Sequence, residues 1–181
     1  MHAFDYKAPE VLADALRLLA DSAGSAKPLA GGTDLIDQMR NGRHQPTVVI
    51  DVKKLPELNV LQCNGEGLHL GAATPCYRIC GDEKLQRDYT ALADACHIIG
   101  GIQIQSRASV GGNLCNSGPA GDSIPAMIAL RGTCVIAGPD GTREVSVAEF
   151  CTGPGQNVLS AEELLVEIQF PQRPAARGDH V

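Results

Sequence analysis

The sequence predicts a fold that mixes helices and strands in two subdomains, and three patterns along its 181 residues lead to this prediction. An amphipathic helix is followed by the order strand, helix, strand, which is typical of a small parallel unit. From Asn59 onward, hairpins and capped helices replace that pattern. The composition changes between Leu55 and Asn59. We therefore predict one subdomain over residues 1–55, a second over 56–175, and an exposed end over 176–181.

The first subdomain should contain two helices and two strands. The stretch "APEVLADALRLLADSAGS" predicts a helix with Pro9 at its first position and Gly24 just beyond its end. Its apolar face comprises Val11, Leu12, Ala15, Leu16 and Leu19. A strand at "KPLA", a glycine turn, a helix at "TDLIDQMR" and a strand at "TVVIDV" follow.

The second subdomain should begin with a hairpin, because "NVLQC" and "GLHLGAA" flank the turn "NGEG". In "ATPCYRI", Thr74 is a candidate helix cap and Pro75 a candidate first helical residue. Further helices are predicted at "TALADACHIIG" and "DSIPAMIALRG". Two strands then meet across "PDG", and "ELLVEIQF" is predicted to be the last strand.

Composition and charge exclude several classes of function. A net charge of −6 with no basic stripe argues against a nucleic-acid partner. No run of eighteen apolar residues predicts a membrane span, and the start lacks the pattern of a signal peptide. The seven cysteines form no C-x-x-C pair and the five histidines show no ligand spacing, which argues against a metal site. We therefore predict a cytoplasmic protein with reduced thiols and no membrane insertion.

Two glycine-rich segments are the strongest candidates for a binding site. We call "LAGGTDL", residues 29–35, the first glycine segment, and "SVGGNLCNSGPAGD", residues 109–122, the second. Each places paired glycines after an extended stretch and near a predicted helix start. Glycine lets backbone N–H groups approach a ligand, and such groups favour a phosphate. Thr33, Ser109 and Asn113 add side-chain donors, so the two segments together predict a site for a diphosphate.

A purely structural interpretation of the same residues stays open at this point. Paired glycines are often simple turns, and Asp34 and Asp122 are suitable helix-capping carboxylates. Neither segment matches the G-x-G-x-x-G fingerprint or the G-x-x-x-x-G-K-[ST] loop. The spacing alone therefore indicates a phosphate-bearing ligand, with a dinucleotide as one option.

Longer stretches of the sequence resemble a known family. "AGGTDL" at 30–35 and "IQSRASVGGNLCNSGPAGDSIPAMIAL" at 104–130 are similar to the two FAD-binding signatures of molybdenum hydroxylase flavoprotein subunits. This is the medium-subunit family of xanthine dehydrogenase and carbon monoxide dehydrogenase, whose flavin domain is of the PCMH type. The resemblance extends from "FDYKAPE" through "VVIDVKKLPELN" and "LHLGAATP" to "LLVEIQFP".

The resemblance implies an α+β fold of two α/β subdomains with non-covalently bound FAD between them. The first glycine segment, Leu29, Ala30, Gly31, Gly32, Thr33, Asp34 and Leu35, would then wrap the diphosphate. Ser109, Gly111, Gly112 and Asn113 would approach it from the other subdomain. Asp122 would accept a hydrogen bond from a ribityl or ribose hydroxyl, and Ile99 and Leu165 would supply apolar contacts. We expect valine at Gly111 or Gly112 to abolish binding with much smaller loss of fold.

The family also implies a role in electron transfer. A molybdopterin subunit would oxidise the organic substrate, and an iron–sulfur subunit with 2Fe–2S clusters would pass the electrons to FAD on this chain and on to an acceptor. No catalytic residue is then expected here, and Cys115 is expected to pack as a small apolar residue. Two alternatives stay open: a stand-alone flavin reductase of the UDP-N-acetylenolpyruvoylglucosamine reductase type, or a non-catalytic nucleotide-binding assembly module.

Three features depart from the family pattern. Gln105 stands where many relatives carry Arg, and "NSGPAGD" replaces the commoner "NASPAAD". Family members usually continue into a C-terminal domain that helps to cover the isoalloxazine ring, so this sequence is either a fragment or a short member.

Arg40 and Arg43, which flank "NG", are interpreted as solvent-facing residues at a helix end.

Overall fold

The computed structural model describes residues 2–172 and confirms the predicted α+β fold. Predictions for residues 173–181, including the exposed C-terminal end, lie outside the described residues. The strands are β1 Asp5–Lys7, β2 Ala26–Leu29, β3 Val48–Asp51, β4 Leu61–Cys63, β5 Gly67–Gly71, β6 Thr133–Gly138, β7 Gly141–Ser146, β8 Cys151–Gly153, β9 Gln156–Asn157 and β10 Leu164–Pro171. The helices are α1 Leu12–Asp21, α2 Leu35–Arg40, α3 Cys76–Cys80, α4 Glu83–Asp88, α5 Thr90–Ile98, α6 Ile102–Gln105, α7 Val110–Asn116, α8 Ser123–Ala129 and α9 Val147–Phe150, with a 3₁₀ helix at Pro56–Asn59.

The N-terminal part forms a three-stranded parallel sheet in the order β1, β3, β2. The strand, helix, strand unit predicted from the sequence is β2, α2 and β3, and β2 and β3 pair in parallel as expected. The first glycine segment connects β2 to α2, at the carboxyl edge of this sheet. This is the edge at which ligands usually bind to parallel sheets.

The larger sheet is antiparallel, in the order β4, β5, β10, β6, β7. The two predicted hairpins are present, β4 with β5 and β6 with β7. The six helices α3 to α8 lie between β5 and β6 in sequence, and the second glycine segment belongs to this helical part. The predicted boundary between residues 55 and 56 falls between β3 and β4 and stays a prediction.

The central strand β10 contributes to two hydrophobic cores. Its pairing with β6 contains a bulge between Leu165 and Glu167, which shifts the alternation of its side chains. Leu164 and Val166 therefore pack into the core under α1 and the parallel sheet. Leu165 and Ile168 pack into the core between the large sheet and its helices. Residues of β10 thus pack in both hydrophobic cores and connect the parallel sheet with the antiparallel sheet.

Two predicted helix starts are wrong by a few residues. Helix α1 begins at Leu12 instead of Pro9, because Val11 has an extended backbone. Val11, predicted on the apolar face, is 57% exposed and lies outside the buried face. Helix α3 begins at Cys76, and Pro75 precedes it in an extended conformation. Thr74 is not its cap, because its hydroxyl donates to the Val60 carbonyl 3.1 Å away.

None of the helices described between residues 2 and 172 combines the length and apolar character needed to cross a bilayer.

Candidate ligand-binding cleft

The two glycine segments meet at one cleft of about 610 Å³. Gly31 lies close to the residues just before the second segment: a Cβ atom on Gly31 would lie 1.9 Å from the carbonyl oxygen of Arg107 and 2.9 Å from the nitrogen of Ala108. A smaller polar cavity of about 480 Å³ adjoins the cleft and shares Thr33, Gln38 and Asn113 with it. A hydrogen bond of 2.8 Å from Gln38 Nε2 to Asn116 Oδ1 links α2 and α7 across this region.

The first glycine segment presents a row of unpaired donors. Within the described chain, no protein acceptor binds the backbone N–H groups of residues 31–35, and all five residues line the cleft. Gly32 has a φ of +77°, a conformation that glycine adopts without strain. Residues 31–33 and 35 are half-buried and Asp34 is exposed, so these N–H groups are accessible to a ligand. A row of free ones along a cleft therefore suits an anionic ligand.

A charged network holds the start of this segment in place. Lys53 Nζ donates to Asp51 Oδ1 at 2.7 Å and to the carbonyl of Ala30 at 3.2 Å, and the Tyr6 hydroxyl donates to the other Asp51 oxygen. Burial opposes the ionisation of Asp51. The hydrogen bonds from Lys53 and Tyr6 outweigh it, so the pKa of this carboxyl lies below its ordinary value. The ionised carboxylate fixes Lys53, and Lys53 fixes the carbonyl just before the paired glycines.

The second glycine segment is helical where a turn was predicted. Gly111 and Gly112 lie in the first turn of α7, and neither has a positive φ. Ser109 caps this helix, with its Oγ accepting from the Gly112 N–H at 3.1 Å. Gly111 is required by packing instead, because a Cβ atom there would lie 2.4 Å from the Ala72 carbonyl oxygen. The expectation that valine at Gly111 would largely spare the fold is therefore not supported by its surroundings.

Asn113 is oriented by a neighbour on the next helix. The Ser123 hydroxyl donates to Asn113 Oδ1 at 2.9 Å. The Nδ2 group of Asn113 has no acceptor among the described residues, and the side chain lines both the cleft and the adjoining polar cavity. Asn113 can therefore donate to a bound ligand without giving up an internal hydrogen bond.

Most of the predicted site residues lie along the cleft. The twelve that line it are Ala30, Gly31, Gly32, Thr33, Asp34, Leu35, Ile99, Ser109, Gly111, Gly112, Asn113 and Leu165. The lining does not include Leu29 or Asp122. Leu29 packs beside Gly32, and Asp122 is exposed before α8, where its side chain makes no capping hydrogen bond. Contact of any of these residues with a ligand stays a prediction.

The cleft also contains residues that the sequence analysis did not assign to it. Arg43 is exposed, as the sequence predicted, and it also lines both the cleft and the polar cavity. Lys27 and His44 lie at the same cleft. A stretch that we call the rim segment, residues 155–163, also contributes to the lining. No local pattern could have identified these residues, because their place at the cleft depends on tertiary contacts.

The rim segment is held by one ion pair. Arg143 Nε and Nη2 donate to the two oxygens of Glu163 at 2.6 and 2.8 Å, and Arg143 also donates to the Val158 carbonyl at 2.9 Å. The Ser160 N–H donates to Glu163 as well, at 2.8 Å. The bond from Arg143 is the main reason that the pKa of Glu163 falls to about 2, against an opposing effect of burial.

This ion pair predicts a specific pH dependence of stability. The folded pKa of Glu163 lies below its ordinary value of 4.5, so its contribution is present above that pH and is lost as the pH falls towards 2. We expect Glu163→Gln to be less stable than the unsubstituted chain at pH 7, with the difference narrowing below pH 4.5. Urea unfolding of the flavin-free chain at pH 7, 4 and 3 measures it. Glu162→Gln is the matched control, and a difference that stays constant with pH would contradict the assignment.

The cysteines are free thiols. All seven fall within the described residues and none is paired. Cys115 lines the cleft, and burial raises its pKa to about 12, so it is a neutral thiol near pH 7. Among residues 2–172, no cluster of three or more His, Cys, Asp or Glu side chains has the arrangement of a metal site.

Comparison with known proteins supplies the ligand class. The family described as "FAD binding domain in molybdopterin dehydrogenase" matches residues 2–173. The xanthine dehydrogenase FAD-binding subunit of Escherichia coli O157:H7 is 36% identical over 170 residues, which cover 93% of this chain and 58% of that protein. The carbon monoxide dehydrogenase medium chain of Hydrogenophaga pseudoflava is 32% identical over 168 residues, with the same coverage.

Solved structures agree with these relatives. A carbon monoxide dehydrogenase from Hydrogenophaga pseudoflava matches with a TM-score of 0.93 and 31% identity, over 96% of this chain and 61% of that one. Quinoline 2-oxidoreductase from Pseudomonas putida 86 matches with a TM-score of 0.89 and 28% identity, over 96% and 60%. The chain thus spans about three fifths of the length of the relatives that it matches.

Proposed function

This chain belongs to the family of FAD-binding domains found in molybdopterin dehydrogenases, and from that membership we propose that FAD lies in the cleft between its two glycine segments. The observation that carries the proposal is the row of unpaired N–H groups at residues 31–35. The second glycine segment lies opposite this row and adds the free Nδ2 of Asn113. Such donors bind a diphosphate without needing a full charge from each contact.

The shape and chemistry of the cleft fit this cofactor. A volume of about 610 Å³ is within the usual range for small-molecule sites. Gly31 lies so close to Arg107 and Ala108, just before the second glycine segment, that a Cβ atom has no room, which keeps backbone donors from both sides near one ligand. Ile99 and Leu165 supply apolar lining. Asp122 and Leu29 do not line the cleft, so either would contact only a part of the cofactor that extends past the lining residues. We propose that the cofactor is bound non-covalently.

The chain's own part in the reaction is to bind and orient. When bound, FAD supplies the electron-transfer chemistry. The N–H groups of residues 31–35 and Asn113 hold its phosphates, and the Lys53–Asp51 network keeps the Ala30 carbonyl from shifting. Cys115 stays neutral at the cleft and offers no competing nucleophile at pH 7. No proton transfer to an organic substrate is assigned to this chain.

We further propose that the chain works within a larger complex in the cytoplasm. Relatives include a medium chain of carbon monoxide dehydrogenase and a nicotinate dehydrogenase FAD-subunit from Eubacterium barkeri. By analogy, a molybdopterin subunit would oxidise the organic substrate and an iron–sulfur subunit with 2Fe–2S clusters would carry the electrons, while this chain would hold the FAD through which they reach an acceptor. The family membership supports this arrangement.

Isolation of the native complex tests the proposed function. The chain, purified from its native source through a fused tag, should carry FAD together with two further subunits that contain iron and molybdenum. Reduction of the FAD should follow addition of the organic substrate only in the assembled complex. A preparation that contains this chain alone and oxidises an organic substrate would overturn the proposal, as would a native complex free of flavin.

A further inference from the structure

Arg43 carries a positive charge, whereas the groups proposed above to bind phosphate, the N–H groups of residues 31–35 and the Asn113 amide, are uncharged. It lies just beyond α2, where its backbone N–H donates to the Gln38 carbonyl at 2.9 Å and so fixes the start of its side chain. Its side chain lines both the cleft and the adjoining polar cavity, as do Thr33, Asp34 and Asn113. The guanidinium therefore shares its space with the donors of both glycine segments.

The rim segment determines the direction of this side chain. A Cβ atom on Gly155 would lie 3.2 Å from Arg43 Nη2, so the guanidinium packs beside the backbone of that residue. Gly155 is itself held, because its N–H donates to the Ser117 carbonyl at 2.9 Å. Arg43 is thus positioned between the end of α2 and the rim segment.

The guanidinium has no carboxylate partner of its own. No ion pair joins it to any acidic residue in the described part of the chain, and Glu163 at the same cleft is already paired with Arg143. Lys27 and His44 lie nearby, and burial together with the positive charges of Lys27 and Arg43 lowers the pKa of His44. His44 is therefore neutral near pH 7. Asp34 lines both cavities and Asp37 lines the polar cavity, but neither forms an ion pair with Arg43 among the described residues, so the guanidinium keeps donors free for a ligand.

We propose that Arg43 supplies the full positive charge that binds the diphosphate of the flavin nucleotide, alongside the neutral N–H donors of the first glycine segment. This inference rests on the proposed binding of FAD. A guanidinium suits the role because its planar set of donors can bind two phosphate oxygens at once. Arg43 is exposed, so its guanidinium is accessible to a ligand.

Arg40 provides a matched control for this assignment. It lies in the last turn of α2, three residues before Arg43, is exposed, and is absent from the lining of both cavities. Arg43→Gln and Arg40→Gln remove the same charge from nearly the same place on the surface. Only the first should remove a contact with the ligand. Any general effect of net charge on FAD binding is therefore common to both variants.

Flavin titration of the full chain tests the inference. We expect Arg43→Gln to weaken FAD binding by about ten-fold to a hundred-fold, as loss of a charge-assisted contact implies. Arg40→Gln should stay within about two-fold, and Arg43→Lys should lose less affinity than Arg43→Gln because it keeps the charge. Riboflavin, which lacks phosphate, should bind equally to all four chains. Added salt should weaken FAD binding more in the unsubstituted chain than in Arg43→Gln.

The outcomes separate this inference from the function on which it rests. If the unsubstituted chain binds FAD and Arg43→Gln binds it equally well at low and high salt, the Arg43 assignment is wrong and the proposed function stands. If the unsubstituted chain binds no FAD, both fall together. Thermal unfolding of each variant shows whether the fold is kept. If Arg43→Gln does not fold, Arg43→Met, which also removes the charge, takes its place, and an affinity equal to that of Arg40→Gln overturns the inference.

Discussion

Replacing Gly31 with alanine should destabilise the chain and remove most of its affinity for FAD. The new Cβ atom would be placed 1.9 Å from the carbonyl oxygen of Arg107 and 2.4 Å from its carbonyl carbon. Both are backbone atoms, so no side-chain rotation can relieve the overlap. The first glycine segment would have to move away from the stretch before α7. Overpacking of this kind costs about 1–3 kcal/mol and sometimes more. If the whole cost appears in the free energy of FAD binding, the affinity falls by roughly ten-fold to a hundred-fold.

Gly65→Ala is the control for the Gly31 substitution. Gly65 lies in the turn between β4 and β5, has no positive φ, and a Cβ atom there would meet nothing within 4 Å. Its free energy of unfolding and its FAD affinity should match those of the unsubstituted chain. Urea unfolding and flavin fluorescence quenching measure the two properties. If Gly31→Ala behaved like Gly65→Ala in both, the close approach of Gly31 to Arg107 and Ala108 would not exist as described.

Alanine should lower the stability of the chain at Gly111 but not at Gly112, the other paired glycine of α7. At Gly111 a Cβ atom would lie 2.4 Å from the Ala72 carbonyl oxygen and 2.7 Å from its Cα, so Gly111→Ala should lose on the order of 1–3 kcal/mol of stability. At Gly112 the nearest atom would be the Ser109 Oγ at 3.1 Å, which a small movement can relieve. Alanine also favours a helix over glycine by about 1 kcal/mol. Gly112→Ala should therefore keep its stability.

The two alanine variants also separate fold from binding. Gly112 lines the cleft, so a methyl group there should weaken FAD binding although the fold is kept. Thermal unfolding gives the stability of each variant, and flavin titration of the folded Gly112→Ala chain gives the binding. Equal stability of the two variants would show that Gly111 is not packed against Ala72. Unchanged FAD affinity of Gly112→Ala would remove Gly112 from the site.

Much of the fold could be predicted because its main elements carry local signals. The hairpin turn "NGEG", the apolar stretch "ELLVEIQF" of β10 and the strand, helix, strand order of residues 26–51 are each visible in the sequence. Strand β1 was missed because it has only three exposed residues and forms by pairing with β3, more than forty positions away. Helix α7 was missed because paired glycines are poor helix formers, and here packing against Ala72 decides the outcome.

The candidate site was only partly predictable for the same reason. Glycine chemistry at residues 31–35 indicated backbone donors, and those donors are unpaired at the cleft. The positions of Arg43 and the rim segment depend on contacts between distant parts of the chain, such as Gly155 with Ser117. The network of Tyr6, Asp51 and Lys53 joins residues up to 45 positions apart in sequence. Such contacts follow from the assembled fold and leave no pattern in a short stretch of sequence.

Titration of the unsubstituted, flavin-free chain with FAD tests the central claim most directly. We expect quenching of flavin fluorescence that saturates at one FAD per chain, a visible flavin absorption band on the purified complex, and release of all the flavin on denaturation. ADP, which carries the diphosphate without the flavin ring, should compete for the site. A chain that remains colourless after incubation with FAD, or one that retains flavin after denaturation, would contradict the account.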